Sequence, residues 1–327
     1  MTTMSLSKAI NTGLRRAMEA DEKVLVMGED VGRLGGVFRV TDGLQKDFGE
    51  GRVLDTPLAE SGILGTAVGL TYRGFRPVVE IQFDGFVYPA YDQIVSQVAR
   101  LHFRSKGLVR MPIVIRIPFG GGIGAVEHHS DSPEAQFAMT AGLKVVSCSN
   151  PNDAYWMIQQ AIASDDPVVF MEPKRRYWES GEVDLESTPA PMCTSRVVRP
   201  GRDATLIAYG PMVTTCLQSA EAAQADGLDL EVIDLRTLSP LDLGPVLESV
   251  RRTGHAVVVH EAQRTLGLGA EIAARITEEC FHSLEAPVQR VTGYDMPYPP
   301  SRVEDDFLPG LDRIIDAVEH AREIGAV

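Results

Sequence analysis

Residues 111–135 read MPIVIRIPFGGGIGAVEHHSDSPEA, and the reading of the opening run, Met111 to Phe119, decides the fold. Apolar residues follow one another there almost without interruption. A strand with one face in water alternates polar and apolar residues. A continuous apolar run needs cover on both faces, which is the situation of a strand inside a parallel sheet. The glycines that follow invite a dinucleotide-binding loop, but their spacing excludes one. Gly120, Gly121, Gly122 and Gly124 give G-G-G-x-G, not G-x-G-x-x-G. Nor does a helix begin at once, because Ser132-Pro133-Glu134 reads as an N-cap followed by proline at the first helical position. The loop therefore runs from Gly120 to about Asp131 and delivers two adjacent histidines, His128 and His129. Its glycines let the backbone approach something closely. A histidine pair on such a loop points to proton transfer, and equally fits a surface loop with solvated imidazoles.

Working outward, KVLVMGED, RPVVEIQF, GLKVVSCS and DPVVFMEP have the same buried-strand character. Helical patterns lie between them: residues 61–73, a segment from Pro89 (PAYDQIVSQVARLHFRS), and one from Asn150 (NPNDAYWMIQQAIAS) with Asn150 or Asn152 as N-cap. Residues 173–200 are charged, proline-containing and weakly periodic, and read as a linker with a short edge element. A second alternation follows, with strands ATLIAYG, LEVIDLRTL, HAVVVHEA and VQRVTGYD, and helices starting at Met212, Leu241 and Leu268. The fold class is α/β: two doubly wound, mostly parallel-sheet domains. The expected division is a domain over 1–185, a linker over 186–200 and a domain over 201–327.

The chain has 327 residues, enough for two ordinary cores, and a formal charge of −14, the wrong sign for a nucleic-acid surface. Four scattered cysteines without a C-x-x-C pair predict reduced, buried thiols and a cytoplasmic protein. The amphipathic N-terminal stretch is no signal peptide, and no apolar run is long enough to span a membrane.

Two further stretches bear on chemistry. In LDTPLAESGILGTAVGL (54–70) a single acid, Glu60, opens a helix containing Gly62, Gly65 and Gly69. Glycine costs a helix up to about 1 kcal/mol per residue relative to alanine, so such a helix requires a close partner, another backbone or another chain. An acid in a dry setting is disposed to stay protonated and to donate. The alternative is that Glu60 merely caps its own helix. In HEAQRTLGLGAEIAARI the order strand, Gly-x-Gly, helix could seat a phosphate, but tight strand-to-helix packing is the better reading. His255 and His260 flank AVVV with no evident partner; His102, His282 and His320 read as helix-surface residues.

Seven stretches in register, DTPLAESGILGTAVGL, EIQFDGFVYPAYDQIVSQVARLHFRS, HHSDSPEA, GLKVVSCSNPNDA, DPVVFMEPK, EVIDLRTLSPLD and LEAPVQRVTGYDMPYPP, together resemble the beta subunit of thiamine-diphosphate-dependent 2-oxoacid dehydrogenases. The resemblance covers nearly the whole chain. It implies a transketolase-like pyrimidine-binding domain followed by a transketolase C-terminal-like domain. It also implies that Glu60 donates to a ring nitrogen of the cofactor's aminopyrimidine, that Phe86 stacks on that ring, and that Leu58 and Gln82 line the same pocket. His129, with His128 beside it, matches the family histidine that stabilises an oxyanion and moves protons during acyl transfer to lipoamide. A structural potassium ion is implied near Ile113, Val114, Ala161, Ser164 and Asp166, mainly through carbonyl oxygens.

The sequence has TDG, FDG and ADG but no G-D-G, the start of the family's magnesium–diphosphate motif. An alpha subunit is thus implied to hold magnesium and diphosphate, in an assembly of two alpha and two beta chains. The lipoyl-bearing dihydrolipoamide acyltransferase is the further partner. Branched-chain 2-oxoacids are the expected substrates, with pyruvate and acetoin enzymes as alternatives. A non-catalytic α/β binding or electron-transfer subunit is the alternative from another class.

Overall fold

The computed structural model describes residues 1–325, so the last two residues of the expected 201–327 domain lie outside the described residues. The chain forms two units, one made of Met1–Phe119 and Gln136–Met192, the other of Gly120–Ala135 and the chain from Cys193. The glycine-rich histidine loop thus belongs to the second unit.

In the first unit the strands are β1 (Thr2–Ser5), β2 (Val24–Gly28), β3 (Val53–Asp55), β4 (Arg76–Glu80), β5 (Val114–Phe119), β6 (Lys144–Ser147), β7 (Val168–Pro173) and β8 (Ser180–Val183). Six of them lie side by side in the order β6-β7-β5-β4-β2-β3, every pair parallel. β2, β5 and β7 are buried along their whole lengths, as their unbroken apolar runs require. β1 and β8 form a separate antiparallel pair, part of the ordered structure within the stretch read as linker. The helix Leu6–Ala20 packs on the helix Pro151–Ala163 at Gly13, where a Cβ would sit 2.7 Å from the Tyr155 carbonyl oxygen. Asn150 is the N-cap of the second of these helices, its side chain accepting from the Asp153 N–H at 2.9 Å.

The single helix expected from Pro89 is not formed. The segment breaks into a 3-10 helix Asp84–Ala90, a π-helix Gln93–Val98 and a short α-helix Leu101–Arg104. Pro89 lacks the N–H that a helix interior needs. Beyond it the Ala99 N–H reaches back to Ile94 O, and Gly142 approaches the Ala99 carbonyl so closely that a Cβ would meet it at 2.0 Å.

The second unit contains β9 (Arg196–Arg199), β10 (Ala204–Ala208), β11 (Leu230–Asp234), β12 (Thr237–Ser239), β13 (Ala256–Gln263) and β14 (Gln289–Gly293). Its sheet runs β14-β13-β10-β11 in parallel, with β9 added antiparallel at the edge. Helices Pro211–Gln224 and Leu311–Gly325 pack on this sheet and close a core of Val, Leu, Ala and Ile side chains. Among the described residues no disulfide joins the four cysteines, and Cys148, Cys216 and Cys280 are buried. Among the same residues no helix is long and apolar enough to cross a membrane.

Candidate active site

In an open parallel sheet the carboxyl ends of neighbouring strands are where side chains from separate loops converge. β4, β2 and β3 are adjacent, and their carboxyl ends lead to Gln82 and Phe86, to Glu29 and Asp30, and to the helix that Glu60 opens. That helix, Glu60–Thr71, packs against both β4 and the 3-10 helix carrying Phe86.

Glu60 is 7% exposed and occupies the first turn of its helix, whose N-cap Ala59 provides no side-chain hydrogen bond. The carboxyl does not close a capping interaction, and no hydrogen bond to it forms among the described residues. Glu29, also buried, is its charged neighbour. Burial, and then the Glu60 charge, push the Glu29 carboxyl above the usual carboxylate range. Phe86 is half-buried, its ring edge-on to Phe83 at 5.7 Å between centroids. Gln82 donates to Asp30 Oδ2 at 3.3 Å, and Leu58 is exposed just before the helix. Glu60, Phe86 and Gln82 stand on neighbouring elements at this edge, residue types that would fit the pyrimidine ring implied for the site: a carboxyl for a ring nitrogen, an aromatic face and an amide.

Below this edge the same unit contains acids that are fully employed. Arg116 is buried and forms ion pairs with Glu172 (Nε–Oε1 2.6 Å) and with Glu80, and Tyr177 donates to Glu172 Oε2 at 2.5 Å. Lys174 and Asp84 form a second buried pair. Two carboxylates on Arg116 keep it firmly cationic.

The histidine loop lies in the second unit. Its ends are joined by the Gly120 N–H donating to Asp131 O at 2.9 Å, the span expected from the sequence. Its glycines approach particular groups. A Cβ on Gly120 would come within 2.5 Å of Glu261 Oε2, and one on Gly121 within 2.1 Å of Tyr298 Oη. Gly121 N–H donates to Glu261 Oε2 at 2.9 Å, and Gly124 N–H to Glu304 Oε1 at 2.9 Å. Tyr209 Oη donates to buried Glu134 at 2.6 Å, and the pair pushes the phenol well above its ordinary range, burial first and the Glu134 charge second. His129 is half-buried at the end of a 3-10 turn, its ring 4.3 Å from that of exposed His128. His128 Nδ1 faces Glu127 Oε1 at 3.6 Å.

The carbonyl-rich turn read for potassium follows the helix Pro151–Ala163. Ala161 O and Ile113 O accept backbone N–H groups, and Ser164 O accepts from Arg76 at 3.0 Å. Lys144 Nζ contacts Ser164 Oγ and Asp166 Oδ2. Val114 lies in the sheet, paired with Val78 and Val168. Carbonyl oxygens with a second lone pair are the ligand type a hard monovalent ion takes, but two side-chain cations already occupy this turn.

Sequence reasoning passed over Glu29, Asp30, Glu261, Tyr298 and Glu304. GED directly after a buried strand signals the first two; nothing local signals the others. Two histidines read as partnerless are partnered. His260 Nε2 accepts the Gly269 N–H at 3.1 Å, and His255 Nε2 lies 3.3 Å from Glu285. Gly267 and Gly269 press on the His260 ring, so that Gly-x-Gly turn serves strand-to-helix packing.

The chain matches the transketolase pyrimidine-binding domain over residues 2–179 and the transketolase C-terminal domain over residues 194–314. It is 58% identical over 319 residues to a protein named pyruvate dehydrogenase E1 component subunit beta from Leifsonia xyli, covering 98% of this chain and 95% of that one. To a 3-methyl-2-oxobutanoate dehydrogenase subunit beta from Mycobacterium tuberculosis the identity is 56%, covering 97% and 91%. To a 2-oxoisovalerate dehydrogenase subunit beta from Pseudomonas aeruginosa it is 45%, covering 99% and 96%. A solved structure titled split gene transketolase, inactive beta4 tetramer, matches with a TM-score of 0.79 at 20% identity, covering 98% of this chain and 99% of that one. That last likeness establishes the fold alone.

Proposed function

The chain belongs to the beta subunits of transketolase-type 2-oxoacid dehydrogenases, and from that premise we propose that it supplies the pyrimidine half of a thiamine-diphosphate site acting on branched-chain 2-oxoacids. The observation that carries the reading is Glu60, a buried residue whose carboxyl forms no hydrogen bond among the described residues, at the carboxyl edge of a parallel sheet. The group, when bound, supplies an acidic thiazolium carbon that adds to a 2-oxo carbonyl and holds the electron pair left as carbon dioxide departs. Glu60 would set its carboxyl against a ring nitrogen and share a proton with it. Phe86 offers a face for stacking, and Leu58 and Gln82 border the ring. His129 moves a proton and steadies developing negative charge while the acyl group passes to a lipoyl group on the dihydrolipoamide acyltransferase.

The diphosphate and its magnesium fall to an alpha subunit, since this sequence has no G-D-G. The helix Glu60–Thr71 supports a two-alpha, two-beta assembly. Gly62, Gly65 and Gly69 are exposed, and a Cβ on Gly69 would meet nothing within 4 Å. Among the described residues nothing presses on these three glycines, which leaves that helix face open to the close approach of a neighbouring chain. The potassium ion implied near Ile113, Val114, Ala161, Ser164 and Asp166 is left out of this reading, because Arg76 and Lys144 already occupy the turn.

Two experiments test this. Substituting Glu60→Gln in the reconstituted alpha–beta assembly should sharply lower decarboxylation assayed with an artificial electron acceptor, and unchanged decarboxylation would favour a non-catalytic binding subunit. For the substrate, kcat/KM for 3-methyl-2-oxobutanoate should exceed that for pyruvate. The 58% identity to a protein named for pyruvate makes the opposite preference the informative failure.

A further inference from the structure

The backbone of the histidine loop is held by acids that come from distant parts of the second unit. Glu304 accepts three donors: Gly122 N–H at 3.3 Å, Gly124 N–H at 2.9 Å and Tyr298 Oη–H at 2.8 Å. Glu261 accepts the Gly121 N–H, and Tyr298 Oη in turn accepts from Gly122 N–H at 3.0 Å. Glu261 and Glu304 are 4% and 9% exposed, and the Gly121–Glu261 and Tyr298–Glu304 bonds are buried while those from Gly122 and Gly124 are partly so. Gly120, Gly122 and Gly124 have φ values of +84°, +82° and +72°. This left-handed backbone turns successive N–H groups toward the carboxylates, and glycine accepts it without strain.

We propose that Glu304 and Glu261 are positioning residues for His129: their carboxylates grip the amides of Gly121, Gly122 and Gly124 and thereby fix where the imidazole stands. The inference rests on the role assigned to His129 above. The span from Gly120 to Asp131 is anchored at its base by its own backbone and on its first limb by these carboxylates, with the apex Ile123–His128 left largely exposed. His129 lies just inside the closing end. Loosening the first limb lets the whole loop, ring included, sample other positions. A glutamine at 304 keeps the size and one acceptor oxygen but turns its amide nitrogen toward donors on the other side, so part of the grip is lost without a cavity being opened.

The test uses the reconstituted alpha–beta assembly with its lipoyl acceptor. In Glu304→Gln, hydrogen exchange of residues 120–131 should quicken and lipoyl-dependent turnover should fall, each on the order of tenfold. In a His129→Ala background the same substitution should cost no further turnover, because the acid acts through the ring. Glu261→Gln and Tyr298→Phe, which remove fewer bonds, give the same pattern at smaller size and serve if Glu304→Gln does not assemble. Unchanged exchange in these variants, or losses that multiply with that of His129→Ala, overturn the proposal. If His129→Ala alone leaves turnover intact while exchange still quickens, the role of His129 fails and the positioning role with it.

Discussion

Glu60 in the first unit and Glu304 in the second are both nearly buried glutamates near glycine-rich segments, and their carboxyls are treated in opposite ways. Glu304 is saturated with two backbone amides and a phenol, all from its own unit. Glu60 has no hydrogen bond from the described residues and a second buried acid, Glu29, as its charged neighbour. The Glu60 side chain is buried yet forms no hydrogen bond among the described residues, which leaves its carboxyl available to a ligand, whereas the Glu304 carboxylate is taken up in holding its loop. The contrast recurs within the first unit, where Glu80 and Glu172 share Arg116.

The sharpest way to break this contrast is at Glu60. Glu60→Gln should lower decarboxylation in the assembly by roughly 10²–10⁴-fold while leaving the thermal midpoint unchanged or slightly raised. A large fall in the midpoint would put Glu60 among the structural acids. The substitution should also draw the Glu29 carboxyl back toward its ordinary range, read by carbon-detected titration, because one of its two leading perturbations is gone.

Arg116→Met makes the opposite case. It leaves Glu80 and Glu172 buried without their cation and should cost about 3–5 kcal/mol, measured by urea unfolding. A loss below about 1 kcal/mol would mean that the buried network is dispensable and that the distinction between served and unserved acids carries little weight.

A pH test isolates the second unit. Burial pushes His260 down from 6.5 to about 4, with its Nε2 accepting the Gly269 N–H. A histidine depressed in the folded state leaves the unfolded chain binding the extra proton. Its contribution to stability is therefore complete above pH 6.5 and is lost as the pH falls toward 4, by up to about 3 kcal/mol. Replacing His260 with glutamine should flatten the slope of unfolding free energy between those limits.

The smallest effect is expected from Gly121→Ala, whose Cβ would land 2.1 Å from Tyr298 Oη. The ring must shift, at a cost of about 1–2 kcal/mol, and exchange of the loop amides should quicken as it does.

The central strands were legible because burial on both faces leaves an unbroken apolar run, whereas β1, β3, β8 and β9, short and partly exposed, carry no such run and were not read as strands. Glu60 and His129 were singled out because each sits in a short local pattern, TPLAE and HHSDSPEA. The helix predicted from Pro89 was not formed as one piece. Its interruption depends on Gly142 closing against the Ala99 carbonyl, a contact no local window contains. The partner of His255, Glu285, was missed for the same reason, whereas Gly269 stands inside the stretch that begins at His260 and only the turn of the folded chain points its N–H at the ring.

The order of residues by itself determined two parallel α/β units and the position of one unusual acid, because periodicity and capping act over a few neighbouring residues. Only the folded molecule decided which acids are already spoken for. Gly121 meets Glu261 across 140 residues and Gly124 meets Glu304 across 180. Hydrogen-bond saturation is a property of three-dimensional neighbours, and the linear chain does not record it.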